Sequence, residues 1–131
     1  GLLTGPADDA HRVDACLRFD NLADRYHALD PEAYPRTARD AYRMNDKKRL
    51  DAIERGAREG TPVKVLYHSH CDCGAYFSEE DRTQAAREGA LVAQVAWLVT
   101  SVREGGIVDD HKLFVHDAAT GDFVRMPYVV V

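Results

Sequence analysis

Short segments of apolar and alternating residues recur along the chain and predict a sheet. Residues 1–4 form a short apolar strand that ends at the Gly5-Pro6 turn signal. Apolar and polar positions alternate loosely over 11–19, which predicts a second strand. Residues 63–67 begin a central strand whose mostly apolar content is typical of a strand covered on both faces. Residues 92–102 form the most apolar run and predict another buried strand.

Two segments carry the spacing and the end signals of helices. Asn45 or Asp46 can cap a helix that continues to about Glu59 and ends at Gly60. Residues 78–88 predict a second helix, in which Ser78 is the N-cap and Asp81 holds the third position of a capping box.

The rest of the chain predicts loops and short strands. Residues 21–37 contain prolines without a clear period and predict an inserted loop, which can include one helical turn. Loops of this length are often functional, and a solvated surface excursion is the alternative. Residues 41–44 predict a short strand, and 111–116 and 123–131 predict a closing hairpin. A mixed sheet with packed helices follows, which is an α+β or three-layer α/β fold.

Length and composition limit the class of protein. A chain of 131 residues predicts one domain, residues 1–131, and its 45% hydrophobic content allows a core without disulfides. The net charge of −5 argues against a nucleic-acid surface, and no window approaches the roughly 18 apolar residues of a membrane span. Three cysteines are no disulfide framework and favour a reducing, cytoplasmic setting. Cys16 and Trp97 are predicted to be core residues.

The chemistry concentrates between residues 66 and 81. His68 and His70 project from the same face of a strand because side chains alternate, and both can reach one ion at about 2.0–2.1 Å. Asp81 lies in the first turn of the predicted helix, where a carboxylate is favoured by the helix dipole. Two histidines and a carboxylate form a three-ligand zinc site whose open position takes water, and the pKa of such a water falls to about 7.

Ser78 has two candidate roles in this arrangement. Its hydroxyl can cap the helix, or it can donate to the oxyanion that forms when water attacks a carbonyl. The reaction also needs a general base, ordinarily a Glu. No residue is placed for that role by spacing; Glu79 and Glu80 are expected to face solvent, and Asp72 is a weaker candidate.

Cys71 and Cys73 leave a different metal site open. Together with His68 and His70 they could form a closed structural zinc cage. Ligands packed so tightly in sequence reach tetrahedral positions poorly, and Asp81 would then have no function. The other four histidines lie in remote elements and are interpreted as surface or hydrogen-bonded residues: His11, His27, His111 and His116.

The spacing of these residues resembles the signature of a known family. His68-Ser69-His70, seven residues, Ser78, two residues and Asp81 resemble the motif of the JAMM (MPN-plus) zinc metalloproteases. Residues 1–5 are similar to the family's first strand, and Asn21 matches an asparagine that often follows the second. Residues 42–60 resemble its next strand and first long helix, so the similarity covers most of the chain.

The resemblance implies a cytidine-deaminase-like JAB/MPN fold and the hydrolysis of amide or isopeptide bonds at the C-terminal tails of ubiquitin-like proteins. It implies that His68, His70 and Asp81 bind zinc and that Ser78 stabilises the tetrahedral intermediate. The compact length resembles bacterial members that act on sulfur-carrier proteins ending in Gly-Gly. The loop at 21–37 is then a candidate for binding the partner's tail by strand addition.

The start of the sequence departs from the family pattern. The catalytic Glu of the family lies shortly before the segment that matches Gly1, and the chain opens partway through a strand. Either the chain as given lacks its base and has little activity, or the polypeptide continues upstream. This departure concerns activity and not zinc binding. The alternative function is a zinc-bearing, non-hydrolytic module that binds a ubiquitin-like protein or a partner subunit.

Overall fold

The computed structural model describes residues 1–131 and contains six strands and three α-helices. The chain divides into two compact units, Gly1–Val63 and Lys64–Val131. None of the helices has the length and the apolar character that a membrane span requires.

The first unit begins with two short antiparallel strands, β1 (Leu2–Thr4) and β2 (Ala15–Leu17). The predicted second strand exists but is much shorter than residues 11–19. The prediction that Cys16 is a core residue is wrong, since Cys16 is exposed. Cys16 lies opposite Leu3, whereas the buried positions of β1 are Leu2 and Thr4 on the other face.

The predicted loop at residues 21–37 contains a two-turn helix, α1 (Ala23–Leu29). The short strand predicted at 41–44 is absent, because the side chain of Asn21 binds the backbone of this segment. Its Nδ2 donates to the carbonyl of Ala41 at 2.9 Å, and its Oδ1 accepts from the N–H of Arg43 at 3.0 Å. The carbonyl of Arg43 accepts from the N–H of Leu22 at 2.8 Å. These groups are therefore satisfied without a neighbouring strand.

The helix predicted to start at Asn45 or Asp46 is present as α2 (Asp46–Glu59), and its predicted bounds and caps are confirmed. The side chain of Asn45 accepts a hydrogen bond from the N–H of Lys48 at 2.9 Å. Gly60 adopts a left-handed conformation with φ 77°, as expected for a helix end.

The second unit contains a four-stranded sheet in the order β3-β4-β5-β6. Strands β3 (Val63–Cys71) and β4 (Ala96–Arg103) are parallel, and helix α3 (Glu79–Ala86) lies in the connection between them. Strands β5 (Ile107–Asp117) and β6 (Asp122–Met126) complete the sheet in antiparallel pairing. The predicted mixed α+β class is confirmed.

Two strand boundaries differ from the sequence predictions. The apolar run at 92–102 starts as a 3-10 helix, Gly89–Ala93, and its strand begins only at Ala96. The last strand ends at Met126 and not at the chain end. Pro127 follows directly, and proline has no N–H to donate to a sheet.

An aromatic cluster lies next to the start of α3. Phe77 stacks on Phe123 with ring centroids 4.2 Å apart, and both contact Trp97 at 6.2 and 5.1 Å. Trp97 is 1% exposed, so its predicted core position is confirmed. Phe77 directly precedes Ser78. The cluster therefore anchors the end of the loop that leads into α3, and with it the position of Asp81.

Candidate metal centre

Strand β3 places His68 and His70 side by side on one face, as alternation predicts. Their Nε2 atoms are 3.2 Å apart. The side chains are 5% and 12% exposed, so both imidazoles are largely withdrawn from water while one edge stays reachable. Two imidazole nitrogens thus converge on one point.

Helix α3 brings Asp81 to the same point. Its Oδ1 is 2.8 Å from Nε2 of His68, and its Oδ2 is 3.3 Å from Nε2 of His70. The carboxylate is 3% exposed. Asp81 is held there by the helix start, where its Oδ2 accepts hydrogen bonds from the N–H of Ser78 at 2.7 Å and from the Ser78 hydroxyl at 2.6 Å. The structure thus brings together all three residues that the sequence selected as metal ligands.

The spacing of these donor atoms fits a tetrahedral ion. One donor atom from each of His68, His70 and Asp81 lies within 4.8 Å of the others. Two ligands bonded to a tetrahedral zinc ion at about 2.0–2.1 Å are about 3.3 Å apart. The two histidine nitrogens, 3.2 Å apart, match that value, and the carboxylate meets His68 through Oδ1 at 2.8 Å and His70 through Oδ2 at 3.3 Å. Three protein donors leave a fourth position open, which is typical of catalytic and not of structural zinc sites.

The loop after β3 orients one of the imidazoles. Nδ1 of His70 lies 3.0 Å from the carbonyl oxygen of Gly74, which can only accept a hydrogen bond. The carbonyl therefore holds a proton on Nδ1, and a metal ion would bind Nε2 in place of the proton that Nε2 donates to Asp81. The loop turns back through two residues in left-handed conformations, Asp72 with φ 59° and Gly74 with φ 84°.

The electrostatics of the cluster favour an ionised carboxylate. Burial by itself raises the pKa of Asp81, but hydrogen bonds from His68, His70 and Ser78 outweigh it and hold that pKa well below its usual range. The hydrogen bond to Asp81 raises the pKa of His70 against the lowering effect of burial. Asp81 therefore contributes an ionised carboxylate to the cluster.

The alternative closed zinc cage is not formed. The metal-binding group contains only His68, His70 and Asp81, and no cysteine sulfur belongs to it. Cys73 is exposed and Cys71 is half-buried. They follow the histidines in sequence without joining the cluster.

Ser78 occupies the cap position that the sequence predicted. Its Oγ accepts from the N–H of Asp81 at 3.1 Å, which completes a reciprocal capping box. The second candidate role, donation to an oxyanion, stays a prediction. One neighbour of the site was missed: the ring of Tyr76 meets that of His70 edge-on at 5.1 Å and is half exposed. Tyr76 holds no ligand position in the motif, so spacing carried no signal for it.

Most of the chain matches a known protein family. A family model described as prokaryotic homologs of the JAB domain matches residues 1–112. The chain belongs to this family. The JAB-domain chain is also similar in fold to a protein from Salinibacter ruber (strain DSM 13855) whose solution structure is known. The TM-score is 0.59 at 23% identity, over 98% of this chain and 74% of that one. No curated protein matches the chain significantly.

Membership confirms the JAB part of the resemblance found in the sequence. The JAB-domain family includes metalloproteases, and the His68–His70–Asp81 cluster fits a metal site. The narrower assignment to the JAMM zinc proteases and the sulfur-carrier substrate are not tested by these findings.

Proposed function

We propose that this JAB-domain protein is a zinc-dependent metalloprotease or isopeptidase. Its substrate would be an amide bond at the C-terminal tail of a ubiquitin-like or sulfur-carrier protein. The observation that carries the proposal is the buried cluster of His68, His70 and Asp81, whose donor atoms lie close enough together for one ion. A tetrahedral zinc ion bound by these three residues would keep a fourth position for water. A scaffold that only bound a partner would have no use for an open metal position.

Zinc held by these three residues would polarise the substrate carbonyl and allow water to ionise near neutral pH. The chain's own residues hold the ligands in the form that binds the ion. The hydrogen bond from His70 to Gly74 keeps Nε2 available as a ligand. The carboxylate of Asp81 stays ionised, because the hydrogen bonds that it accepts outweigh the effect of its burial.

We expect Ser78 to change hydrogen-bond partners during the reaction. The hydroxyl of Ser78 donates to Oδ2 of Asp81. The same oxygen also accepts from the backbone N–H of Ser78 at 2.7 Å. The hydroxyl can therefore turn toward a developing oxyanion while the N–H keeps Asp81 in place. Removing one such oxyanion donor typically lowers kcat by about 10²–10³-fold.

The metal assignment is tested by the zinc content of purified variants. We expect about one zinc per chain in the parent and in Cys71→Ala, and much less in His68→Ala and Asp81→Ala. Cys71→Ala is the matched control, because it lies beside the histidines in sequence without belonging to the cluster. Zinc lost from the Cys71 variant but kept in the Asp81 variant would reject the assignment.

The activity is tested with the full-length protein and a sulfur-carrier protein that bears a C-terminal peptide adduct. We expect cleavage at the end of the carrier tail that a chelator abolishes and that added zinc restores. Ser78→Ala should keep the zinc and lose most of the rate. Tight, zinc-dependent binding of the adduct without cleavage would instead support the non-hydrolytic module.

A further inference from the structure

A cavity lies within the first unit, and no residue of the metal cluster lines it. It is an open cavity of about 770 Å³ that is lined by residues between Cys16 and Arg25, by Asn45 and by residues of helix α2 up to Arg55. Sites for small molecules usually measure about 300–1,000 Å³. The cavity is therefore large enough for a nucleotide-sized molecule, and every residue that lines it belongs to Gly1–Val63.

Four cationic side chains line this cavity and are here called its rim: Arg18, Arg25, Lys48 and Arg55. All four are exposed, and none of them pairs with a carboxylate of the chain. Unpaired arginines are suited to an oxyanion, because the guanidinium fork donates two parallel hydrogen bonds to phosphate or carboxylate.

Two carboxylates also line the cavity, and they do not cancel this charge. The four cations outnumber Asp20 and Asp51, and Asp51 already forms an ion pair with Lys47 at 2.7 Å. The protein as a whole has a net charge of −5. A cationic cavity in an acidic protein is thus a local feature, unlike the extended basic surface that binds nucleic acid.

The less exposed residues that line the cavity, here called its walls, are apolar. Leu17, Phe19 and Leu22 are half-buried in the lining, and Ala52 of α2 is buried. Ala52 lies one helical turn from Lys48 and from Arg55, so a single face of α2 supplies both an apolar and two cationic positions. A ligand that fits must combine an anionic group with an apolar or aromatic body.

We propose that this cavity binds a small organic phosphate. Its phosphate would pair with the arginines of the rim, and its apolar or aromatic part would lie on Leu17, Phe19 and Leu22. The pairing neutralises cations that have no partner in the free protein, while the walls bury the organic part. This site is independent of the function proposed for the metal cluster.

The test uses adenosine monophosphate as the probe in calorimetric titrations of the full chain at low salt. We expect saturable binding that weakens as salt is raised. Adenosine, which lacks the phosphate, and inorganic phosphate, which lacks the body, should each bind at least ten-fold more weakly than the monophosphate.

Two variants on the same helix provide the matched comparison. Arg55→Gln should weaken binding about ten-fold or more, as expected when one charged hydrogen bond is lost. Arg58→Gln removes an exposed arginine of α2 that does not line the cavity and should leave the affinity unchanged. His68→Ala should also leave it unchanged, which separates this site from the metal cluster.

Several results would overturn the proposal. One is the absence of saturable binding of the monophosphate at millimolar concentration. Others are equal weakening by Arg55→Gln and Arg58→Gln, loss of binding in His68→Ala, or adenosine that binds as tightly as its monophosphate. Inorganic phosphate that binds as tightly as the monophosphate would also reject it, because the apolar walls would then contribute nothing.

Discussion

Replacing Ser78 by alanine separates its structural role from its proposed catalytic one. The hydroxyl makes two hydrogen bonds that a methyl group cannot: it donates to Asp81 at 2.6 Å and accepts from the N–H of Asp81 at 3.1 Å. Loss of an N-cap acceptor costs about 1 kcal/mol, and a hydrogen bond to a charged group contributes about 1.5–3 kcal/mol. Ser78 is half-buried and its N–H still holds Asp81. We therefore expect a loss of about 2 kcal/mol in the free energy of unfolding.

The zinc content of each purified variant is determined first, and urea denaturation is then measured after the zinc has been removed. Thr83→Ala is the matched control, because its hydroxyl also makes a hydrogen bond within α3, to the carbonyl of Glu79 at 3.0 Å. That carbonyl is already a backbone acceptor in the helix, so we expect the control to change the stability by less than about 0.5 kcal/mol. Ser78→Ala should retain zinc, since the hydroxyl is not a member of the metal-binding group.

Two results would refute this reasoning. A stability loss in Ser78→Ala no larger than that of Thr83→Ala would mean that the capping box contributes little. Loss of zinc comparable to that of Asp81→Ala would mean that the hydroxyl, and not the N–H, holds the carboxylate in place.

Three further substitutions test the structure at separate places. Gly74→Ala should lower the free energy of unfolding by about 1–2 kcal/mol, since φ is 84° at this residue. It should also weaken zinc binding about ten-fold, because the carbonyl that accepts the hydrogen bond from His70 would move. Asn21→Ala removes three hydrogen bonds, to the backbone of residues 23, 41 and 43, and should lower the free energy of unfolding by about 2 kcal/mol. Gly56→Ala should destabilise the protein by about 1–3 kcal/mol although alanine favours helices, because its Cβ would lie 2.6 Å from the carbonyl oxygen of Thr61.

Controls and contrary outcomes are available for each. Gly121→Ala has a similar φ of 71° in the turn between β5 and β6, so it should lose stability and keep the zinc affinity. Equal zinc affinity in the Gly74 and Gly121 variants would contradict the role of the Gly74 carbonyl. Urea denaturation measures the stability of Asn21→Ala and Gly56→Ala. Unchanged stability in the first variant, or higher stability in the second, would contradict the prediction for that variant.

Local signals predicted the elements whose ends are decided by neighbouring residues. The bounds of α2 follow from the cap at Asn45 and the left-handed Gly60, and both act within one helical turn. The capping box of α3 was predicted for the same reason. The strand expected at 41–44 failed because its hydrogen-bond partners come from Asn21 and Leu22, about twenty residues away in sequence.

Burial was predictable only where a whole run of residues was apolar. Trp97, within the most apolar segment, is buried as expected. Cys16 lies on a three-residue strand, and a strand that short carries too little alternation to show which face is covered. Its exposure depends on the pairing with β1, and only the tertiary structure provides that pairing.

For the metal cluster, the sequence by itself determined the donor set. Alternation places His68 and His70 on one face of a strand, and the motif spacing selects Asp81. What only the tertiary structure decided is that Asp81 lies 2.8 Å from His68, that Gly74 orients His70, and that the cysteines are left out. The physical reason is the path of the chain between β3 and α3. Left-handed turns and the packing of Phe77 set that path, and neither can be derived from the spacing of the ligands.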